Sequence, residues 1–202
     1  MKRTILFLSI FFTANSFGQS LTGELQQANT YDEVKALTDK DPALRLDLLQ
    51  VNECIDTSAL QKQFYTKKYG DIFVIGGDTY KVLYDTSSVF SRVNYIFLDG
   101  AKLSIRQIDS IRSLIMGAYK KGVPFDSLAS KYNMDGNQNF GDTNWFTDGI
   151  MAKEFSDAVK QHKISDVFAV DIKQHNWFYV VKKTFETARF KQMAIIHIQK
   201  IH

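Results

Sequence analysis

The chain has 202 residues, of which 45% are hydrophobic, and a formal net charge of +3. This length supports one ordinary domain, or one domain with a partial second domain. Positive and negative charges are nearly balanced and no block of lysine and arginine is present, which argues against nucleic acid as a partner. The single cysteine, Cys54, cannot form an internal disulfide. We interpret it as a small buried apolar residue, with intermolecular pairing as the alternative.

The N-terminus has the pattern of a secretory signal peptide. Lys2 and Arg3 precede an apolar run over residues 5–12, and small residues follow up to Gly18. The apolar run is too short to cross a bilayer, and no other segment of the sequence is long and apolar enough to do so. We therefore expect residues 1–18 to be a cleavable signal peptide and the protein to be exported to the periplasm.

Capping residues and apolar spacing predict helices through the first seventy residues. The first two are a short helix over Leu21–Gln27 and a helix that starts at a capping box of Thr30 and Glu33 and runs to about Leu37. The next two are a helix that starts at Asp41-Pro42, with an apolar side of Leu44, Leu48 and Leu49, and a helix over Ser58–Lys68 capped by Asp56 or Thr57. This segment contains no catalytic signature.

Strand patterns begin at Asp71. Residues 71–75 and 79–84 flank a Gly76-Gly77-Asp78 turn, and Ser91–Leu98 is a third strand. Ser104 then caps a long helix that ends at Gly122, with an apolar face of Ile105, Ile108, Ile111, Leu114, Ile115 and Ala118. The remaining elements are a helix over about Met151–Gln161 and strands over Ile164–Ala169, Trp177–Lys182 and Met193–Ile198.

Two stretches of the chain resemble each other. Gly70–Leu98 and Ser165–Ile198 each contain a hairpin pattern, then polar residues, a basic residue and a further strand. The similarity indicates either an internal repeat or a chance likeness between two short hairpins. If it is a repeat, the first copy is degenerate and Met193–Ile198 supplies its missing first strand.

The segment Phe125–Phe155 concentrates the sequence motifs. It starts with a short amphipathic pattern, continues through a loop rich in glycine, asparagine and aspartate, and ends in a new helical pattern. Loops of this composition are placed by rigid neighbours and often carry function. The motif residues of this segment are Phe125, Leu128, Ala129, Tyr132, Asp135, Gly141, Asp142, Phe146, Gly149, Met151 and Phe155.

With its flanks, from about Arg92 to Lys183, this segment resembles the parvulin-type, PpiC-like rotamase domain of peptidyl-prolyl cis-trans isomerases, as found in exported folding factors of the SurA and PrsA type. The motifs F-x-x-L-A, G-D and G-x-M-x-x-x-F occur in the family's order. The resemblance implies an α+β fold, with an antiparallel sheet surrounded by helices, over residues 91–184. We expect a helical segment with a strand hairpin, or a degenerate parvulin repeat, over residues 19–90, and a C-terminal strand extension over residues 185–202.

Several positions depart from the family pattern. The family's S-H-I-L strand is Asn94–Phe97 here, and its closing G-Y-H-I-I is Trp177–Val181. Tyr95 and Tyr179 therefore stand where the family has histidines. The loop departs at the first glycine of G-G-D and at the two residues after G-D, which are Phe140, Thr143 and Asn144.

The resemblance also implies roles for individual residues. Met151, Phe155 and Phe146 would form an apolar pocket for a proline ring, with Thr143 as a further substrate contact. Asp135 would lie near the rotating amide as a catalytic residue, with the hydroxyls of Tyr95 and Tyr179 in place of imidazoles. Prolyl isomerisation needs no covalent step, only surroundings that favour the twisted amide, so no cofactor is expected.

Each of these residues also has a purely structural interpretation. Asp135-Gly136 is an ordinary turn pair. The spacing of Met151 and Phe155 suits a helix core, and Tyr95 and Tyr179 suit strand packing. We expect three further aromatic residues in the core, with a peptide-binding surface as the alternative. They are Trp145, Trp177 and Phe178. The four histidines are His162, His175, His197 and His202. Their spacing is not that of metal ligands, so no metal site is expected.

The sequence thus predicts a peptidyl-prolyl isomerase that acts as a folding factor on extended or unfolded, proline-containing segments of exported proteins. The alternative is a catalytically inactive chaperone or peptide-binding module that has the parvulin fold. A third interpretation is a structural domain that pairs with a partner through its terminal strand. The sequence does not indicate the oligomeric state.

Overall fold

A computed structural model describes residues 16–137 and 139–201. Most of the predicted signal peptide, residues 1–15, lies outside the described residues, and so does His202. In the described part of the chain no helix combines the length and apolar character that crossing a membrane requires.

The fold is α+β with antiparallel sheets, as predicted. In chain order its elements are α1 (Ser16–Gln27), α2 (Tyr31–Thr38), β1 (Leu44–Asn52), α3 (Ala59–Phe64), β2 (Ile72–Ile75), β3 (Asp78–Ser91), β4 (Val93–Asp99), α4 (Ile105–Lys120), α5 (Phe125–Tyr132), β5 (Phe146–Thr147), α6 (Lys153–Gln161), β6 (Val167–Ile172), a 3₁₀ turn (Lys173–His175), β7 (Trp177–Lys183) and β8 (Ala188–Lys200).

The chain divides into two compact units. Ser87–Phe190 form one unit, and the described residues before and after that range form the other. The chain passes from one unit to the other within β3 and again within β8. The expected division at residues 90/91 and 184/185 stays a prediction.

The first unit is built around strands in the order β1-β8-β3-β2. Neighbouring residues of β8 pack on opposite faces: Ile195 lies in a cluster with Phe64 of α3, while Ile196 lies in a cluster with Leu25 of α1 and Val34 of α2. Both faces of this sheet are therefore covered by helices. The strand order β8-β3-β2 parallels β4-β7-β6 in the second unit, which fits the proposed internal repeat, and the repeat itself stays a prediction.

The predicted helix after Asp41-Pro42 is wrong, because this segment is β1. The carboxylate of Asp41 accepts a hydrogen bond from the backbone N–H of Ala43 at 2.9 Å within a turn, and the strand then pairs antiparallel with β8 along its whole length. Leu46 and Leu49 pack into different clusters on the two faces of the sheet. The segment fits two patterns. Leu44, Leu46 and Leu48 alternate with polar residues as in a strand, while Leu44, Leu48 and Leu49 also have helical spacing.

Capping residues correctly predicted two of the helix starts. The capping box of Thr30 and Glu33 is present as predicted, and so is the N-cap at Ser104. The helix predicted over residues 58–68 is shorter and starts at an N-cap of Ser58, not at Asp56 or Thr57. The Asp56 carboxylate accepts instead from the backbone N–H of Asn52 at 2.7 Å.

The second unit has a three-stranded antiparallel sheet in the order β4-β7-β6, with helices on both faces. Side chains alternate along β7: Phe178 and Val180 pack with α4 and α5, whereas Tyr179 and Val181 face the cluster that contains Phe155 of α6. This alternation is the ordinary consequence of the two-residue strand repeat. It places every second residue of β4 and β7 on the α6 side of the sheet.

The predicted apolar face of α4 is only partly correct, because a buried arginine occupies its centre. Ile108 and Ile115 are buried, but Ile105 and Leu114 are exposed. Arg112 lies between the two buried isoleucines and is itself buried.

The Arg112 guanidinium joins α4 to the strands of the second unit. It donates to the backbone carbonyls of Val170 at 2.8 Å and Tyr179 at 3.0 Å, and it forms an ion pair with Asp171 at 2.7 Å. The guanidinium also lies over the ring of Phe178, 5.5 Å from its centroid. It therefore fixes β7 at the residue whose side chain faces α6, which is Tyr179.

We predict that Arg112→Met lowers the free energy of unfolding by about 2 kcal/mol or more, because two buried carbonyls lose their donor. Arg106→Met, at an exposed position of the same helix, should change it by less than about 0.5 kcal/mol. Chemical denaturation of both variants measures the difference. Equal stabilities would show that the Arg112 contacts contribute nothing.

Candidate functional site

A loop between α5 and β5 is fixed at both ends to the edge of β4. At its start the backbone N–H of Met134 donates to the carbonyl of Phe97 at 3.0 Å, and near its end the N–H of Tyr95 donates to the carbonyl of Gly141 at 2.8 Å. The residues between these two contacts form an excursion beside β4. We call residues 134–137 and 139–143 the β4 loop.

Gly141 makes the closest contact between the β4 loop and the strand. A Cβ atom at this position would lie 1.9 Å from the backbone oxygen of Tyr95, and the φ angle of Gly141 is +74°. No residue with a side chain fits both the space and the backbone conformation. The glycine of the G-D motif is therefore required by geometry.

Asp142 secures the same end of the loop through an ion pair. Its carboxylate accepts hydrogen bonds from two nitrogens of Arg92, from Nε at 3.0 Å and from Nη2 at 2.5 Å. Burial by itself would raise the pKa of the Asp142 carboxyl, but the hydrogen bonds from Arg92 and from the backbone of Asn144 lower it overall. Arg92 lies in turn over the ring of Phe185.

Thr143 closes the loop instead of facing the predicted site. Its backbone N–H donates to the carbonyl of Val93 at 3.0 Å, and its hydroxyl accepts from the N–H of Val93 at 3.1 Å. The structure therefore does not bring Thr143 together with the other predicted site residues, and its substrate contact stays a prediction.

Asp135, Tyr95 and Asn137 form one hydrogen-bond network. The Tyr95 hydroxyl donates to a carboxylate oxygen of Asp135 at 2.5 Å, and the side-chain amide of Asn137 donates to the Tyr95 oxygen at 3.2 Å. The backbone N–H of Asn137 donates to the other oxygen of Asp135 at 2.8 Å. Burial and the hydrogen bond to Asp135 raise the pKa of Tyr95 to about 12.

Asp135 forms the predicted turn, while its catalytic role stays a prediction. The bond from the Asn137 backbone is that of an ordinary Asx turn, and a second such turn follows where the N–H of Asn139 donates to the Asn137 side chain at 2.9 Å. The turn directs the remaining oxygen of Asp135 to Tyr95. The sequence analysis missed Asn137, although its spacing of two residues from Asp135 is the spacing of an Asx turn.

Aromatic rings from three elements meet beside this network. The ring of Tyr179 lies 5.9 Å from that of Tyr95 and 5.2 Å from that of Phe155, both in edge-to-face geometry. Phe146 is buried and packs against Phe155, with 6.2 Å between ring centroids. Phe146 therefore supports this aromatic group from the core.

The hydroxyl of Tyr179 differs from that of Tyr95 in its hydrogen bonding. Among the described residues it has no hydrogen-bond partner. Burial raises its pKa to about 12, with further contributions from Tyr95 and the negative charge of Asp135. Tyr179 therefore carries a neutral hydroxyl near physiological pH that is not committed to another described residue.

These residues surround a cleft of about 390 Å³. It is lined by Tyr95, Phe97, Asp135, Ile150, Met151, Ala152, Phe155, Ile172, Trp177 and Tyr179. Five predicted site residues are thus brought together, namely Asp135, Tyr95, Tyr179, Met151 and Phe155. The cleft is largely apolar, and Asp135 is the one charged residue in this lining.

Two departures from the family pattern lie at special backbone positions of the segment after Asn139. Phe140, at the first position of G-G-D, has a φ angle of +53°, and Asn144 has a φ angle of +55°. Asparagine tolerates this left-handed conformation, but an aromatic residue does so at a cost. The Phe140 side chain is 55% exposed, so packing does little to offset that cost.

We predict that Phe140→Gly raises the free energy of unfolding by about 0.5–1 kcal/mol, because the left-handed conformation costs an ordinary residue about 1–2 kcal/mol and glycine loses part of that gain to chain entropy. Phe140→Ala is the matched control, since it removes the ring and keeps the strain. A thermal melt in which both variants behave alike would contradict this explanation.

Part of the second unit is similar to a known protein family. Residues 98–187, a little under half of the chain, match the family described as "PPIC-type PPIASE domain". No curated protein matches the chain.

Several solved structures are also similar to this chain. PrsA from Bacillus subtilis is 26% identical over 49% of this chain and 36% of its own length, with a TM-score of 0.40. NmPin, the parvulin of Nitrosopumilus maritimus, is 24% identical over 48% of this chain and 98% of its own length, also at 0.40. PrsA from Bacillus anthracis is 14% identical over 86% of this chain and 72% of its own length, at 0.42.

Proposed function

We propose that this protein catalyses cis-trans isomerisation of X–Pro peptide bonds and acts as a folding factor, since residues 98–187 match the PPIC-type PPIase family. The observation that carries the proposal is the cleft, in which apolar rings adjoin the uncommitted hydroxyl of Tyr179 and the Tyr95–Asp135 pair. Its substrates would be extended, proline-containing segments of unfolded polypeptides.

The chemistry explains why such a cleft is suitable. An X–Pro bond rotates slowly because amide resonance gives it partial double-bond character, and the barrier is roughly 18–20 kcal/mol. In the twisted state resonance is lost, so the amide becomes less polar and its nitrogen gains a lone pair that can accept a hydrogen bond. Surroundings that bind this state better than the planar amide lower the barrier.

Each cleft residue then has a role in that scheme. Met151 and Phe155 would hold the proline ring, since a flexible thioether beside an aromatic ring adapts to a small aliphatic group. Tyr179 would donate its hydrogen bond to the twisted amide. The Tyr95 hydroxyl cannot donate to the amide while it donates its hydrogen bond to Asp135. The Tyr95–Asp135 pair would therefore act through its fixed position and its charge.

We propose that the two tyrosines replace the histidines of the parvulin pattern. A tyrosine with a pKa of about 12 keeps its proton throughout the physiological range. It therefore supplies a hydrogen-bond donor and does not titrate near neutral pH as imidazole does. Activity that depends on these hydroxyls needs no change of protonation.

We also propose that the protein acts after export, on exported polypeptides. The basis is the signal-peptide pattern of residues 1–18. Folding of such clients is slowed by prolyl isomerisation, because the uncatalysed reaction takes tens to hundreds of seconds.

A protease-free assay of X–Pro isomerisation in a short peptide tests the proposed function. We predict that the full-length chain accelerates the exchange, and that Asp135→Ala and Tyr179→Phe each reduce kcat/KM by about tenfold or more, the value of one hydrogen bond to a charged or reacting group. Met151→Ala should also reduce it. Asp109→Asn, at an exposed position on α4, is the matched control and should leave it unchanged.

The assay separates the candidate functions. Exchange at the uncatalysed rate would exclude an isomerase and leave the inactive chaperone or peptide-binding module. An active chain in which Met151→Ala and Tyr179→Phe retain full activity would show that the catalytic site lies elsewhere.

A further inference from the structure

Strand β1 is an edge strand of the first unit. In the order β1-β8-β3-β2 it pairs with β8 alone among the described strands. Just beyond its ends, the carbonyl of Ala43 accepts from the N–H of Ile201 at 2.7 Å, and the N–H of Glu53 donates to the carbonyl of Lys191 at 3.0 Å. Bonded positions alternate along an antiparallel ladder. The odd-numbered residues of β1 therefore bond to β8, and the even-numbered residues direct their N–H and C=O groups outward.

The outward groups at the centre of β1 are available to another strand. At the start of the strand, the N–H of Leu44 is already used, since it donates to the carbonyl of Asp41 at 3.0 Å. The backbone groups of Leu46 and Leu48, in contrast, have no hydrogen-bond partner in the part of the chain that the structure describes. An edge with free donors and acceptors is a template for pairing with a strand of another chain.

Side chains of residues 44–48 alternate between leucines and charges. Leu44 and Leu46 pack on the helices of one face, and Leu48, which shares that face, is 45% exposed. On the other face Arg45 and Asp47 form an ion pair at 3.3 Å, and the Arg45 side chain is 62% exposed. Edge strands are commonly protected by charges that repel a second strand. Here the two charges have opposite signs, so a second copy of the same strand is complementary.

This complementarity selects one register of antiparallel pairing. With Leu46 opposite Leu46 of a second copy, Arg45 lies opposite the partner's Asp47, Asp47 opposite the partner's Arg45, and Leu48 opposite the partner's Leu44. The charged positions are then non-hydrogen-bonded pairs, in which the Cα atoms are only about 4.5 Å apart and the side chains are closest. Cross-strand pairs of opposite charge and of apolar residues stabilise such a ladder.

Neighbouring registers lack this match. A slip of two residues places Arg45 opposite Arg45 of the second copy in one direction, or Asp47 opposite Asp47 in the other direction. Like charges directly opposite each other are destabilising. A register with Leu48 opposite Leu48 leaves both charged residues opposite apolar ones. Among these registers, the one centred on Leu46 alone gives each charge an opposite partner.

We propose that two copies of this chain associate through antiparallel pairing of residues 44–48 of β1, centred on Leu46. The contact is isologous, so it closes at a dimer and does not propagate. Its backbone hydrogen bonds join Leu46 to Leu46, and the N–H of Leu48 to the carbonyl of Leu44, in both directions. The contact is small, so the dimer is weak and exchanges with monomers. The proposal does not depend on the isomerase function.

Proline substitutions along the outer edge test the backbone bonds. Leu48→Pro removes an N–H that points away from β8, and edge strands tolerate proline at such positions. We expect it to raise the Kd of the dimer, measured by sedimentation equilibrium, by about tenfold or more, since two symmetry-related hydrogen bonds are lost. Gln50→Pro, also at an outward position but beyond residues 44–48, is the matched control and should retain the Kd. Equal values for the two variants would contradict the pairing.

Charge substitutions test the register without removing a backbone donor. Arg45→Glu and Asp47→Lys should each raise the Kd by about tenfold or more, because both symmetry-related pairs then carry like charges. An equimolar mixture of these two variants should dimerise as the original chain does, since every acid then faces a base. Lys62→Glu, the same change of charge at an exposed position of α3, should have no effect. A mixture that associates no better than its components would overturn the register.

The remaining outcomes concern the original chain. A monomer at every concentration, or assemblies larger than a dimer, would overturn the closed pairing. A monomer that binds a reduced and alkylated, unfolded polypeptide, with weaker binding in Leu48→Pro alone, would assign the edge to a client strand and also overturn it. Because isomerase activity is assayed separately in dilute solution, loss of either result leaves the other intact.

Discussion

The close approach of Gly141 to the backbone of Tyr95 is the constraint on which the candidate site depends. With 1.9 Å between a Cβ atom at Gly141 and the Tyr95 oxygen, any larger residue would push the β4 loop away from the strand. The hydrogen bond from Tyr95 N–H to Gly141 and the ion pair of Arg92 with Asp142 hold the loop in this position. Because the other end is bound to Phe97, the excursion that carries Asp135 has little freedom to move.

The sheet transmits this constraint to the rest of the cleft. Tyr95 and Tyr179 lie on neighbouring strands and face the same side, so a loop that fixes Tyr95 also fixes the ring next to it. From the opposite side, Arg112 holds the backbone carbonyl of Tyr179. The cleft is thus positioned by contacts on both faces of one sheet, with α6 providing Phe155. Sites supported by rigid elements in this way keep their geometry without a ligand.

Features set by a few neighbouring residues could be predicted from the sequence. The capping boxes at Thr30 and Ser104 need only four residues each, and the Gly76-Gly77 turn needs two. The pairing of β1 with β8 could not be predicted, because the paired residues lie 140 or more positions apart in the sequence. For the same reason Arg112 was not recognised: its partners, the carbonyls of Val170 and Tyr179, belong to distant strands.

In the candidate site, too, some features could be predicted from the sequence and others could not. The resemblance to the parvulin pattern predicted seven site residues. The cleft lining contains Asp135, Tyr95, Tyr179, Met151 and Phe155, but not Phe146 or Thr143. The resemblance could not predict hydrogen-bond commitments. Only the fold reveals that Asn137 completes the pair of Tyr95 and Asp135, and that Thr143 closes the loop.

We propose that the contact at Gly141 assembles a cleft that isomerises prolyl bonds. The most direct measurement is the cis-trans exchange rate of a Phe-Pro peptide. Exchange NMR gives this rate in the presence of Gly141→Ala and of Gly122→Ala. Gly122 has a similarly positive φ angle but nothing within 4 Å of its Cβ position, so it carries the same backbone strain without the clash. We predict that Gly141→Ala reduces the rate enhancement by about tenfold or more, because small displacements of reacting groups are costly, while Gly122→Ala retains it. Equal exchange rates for the two folded variants would contradict the account.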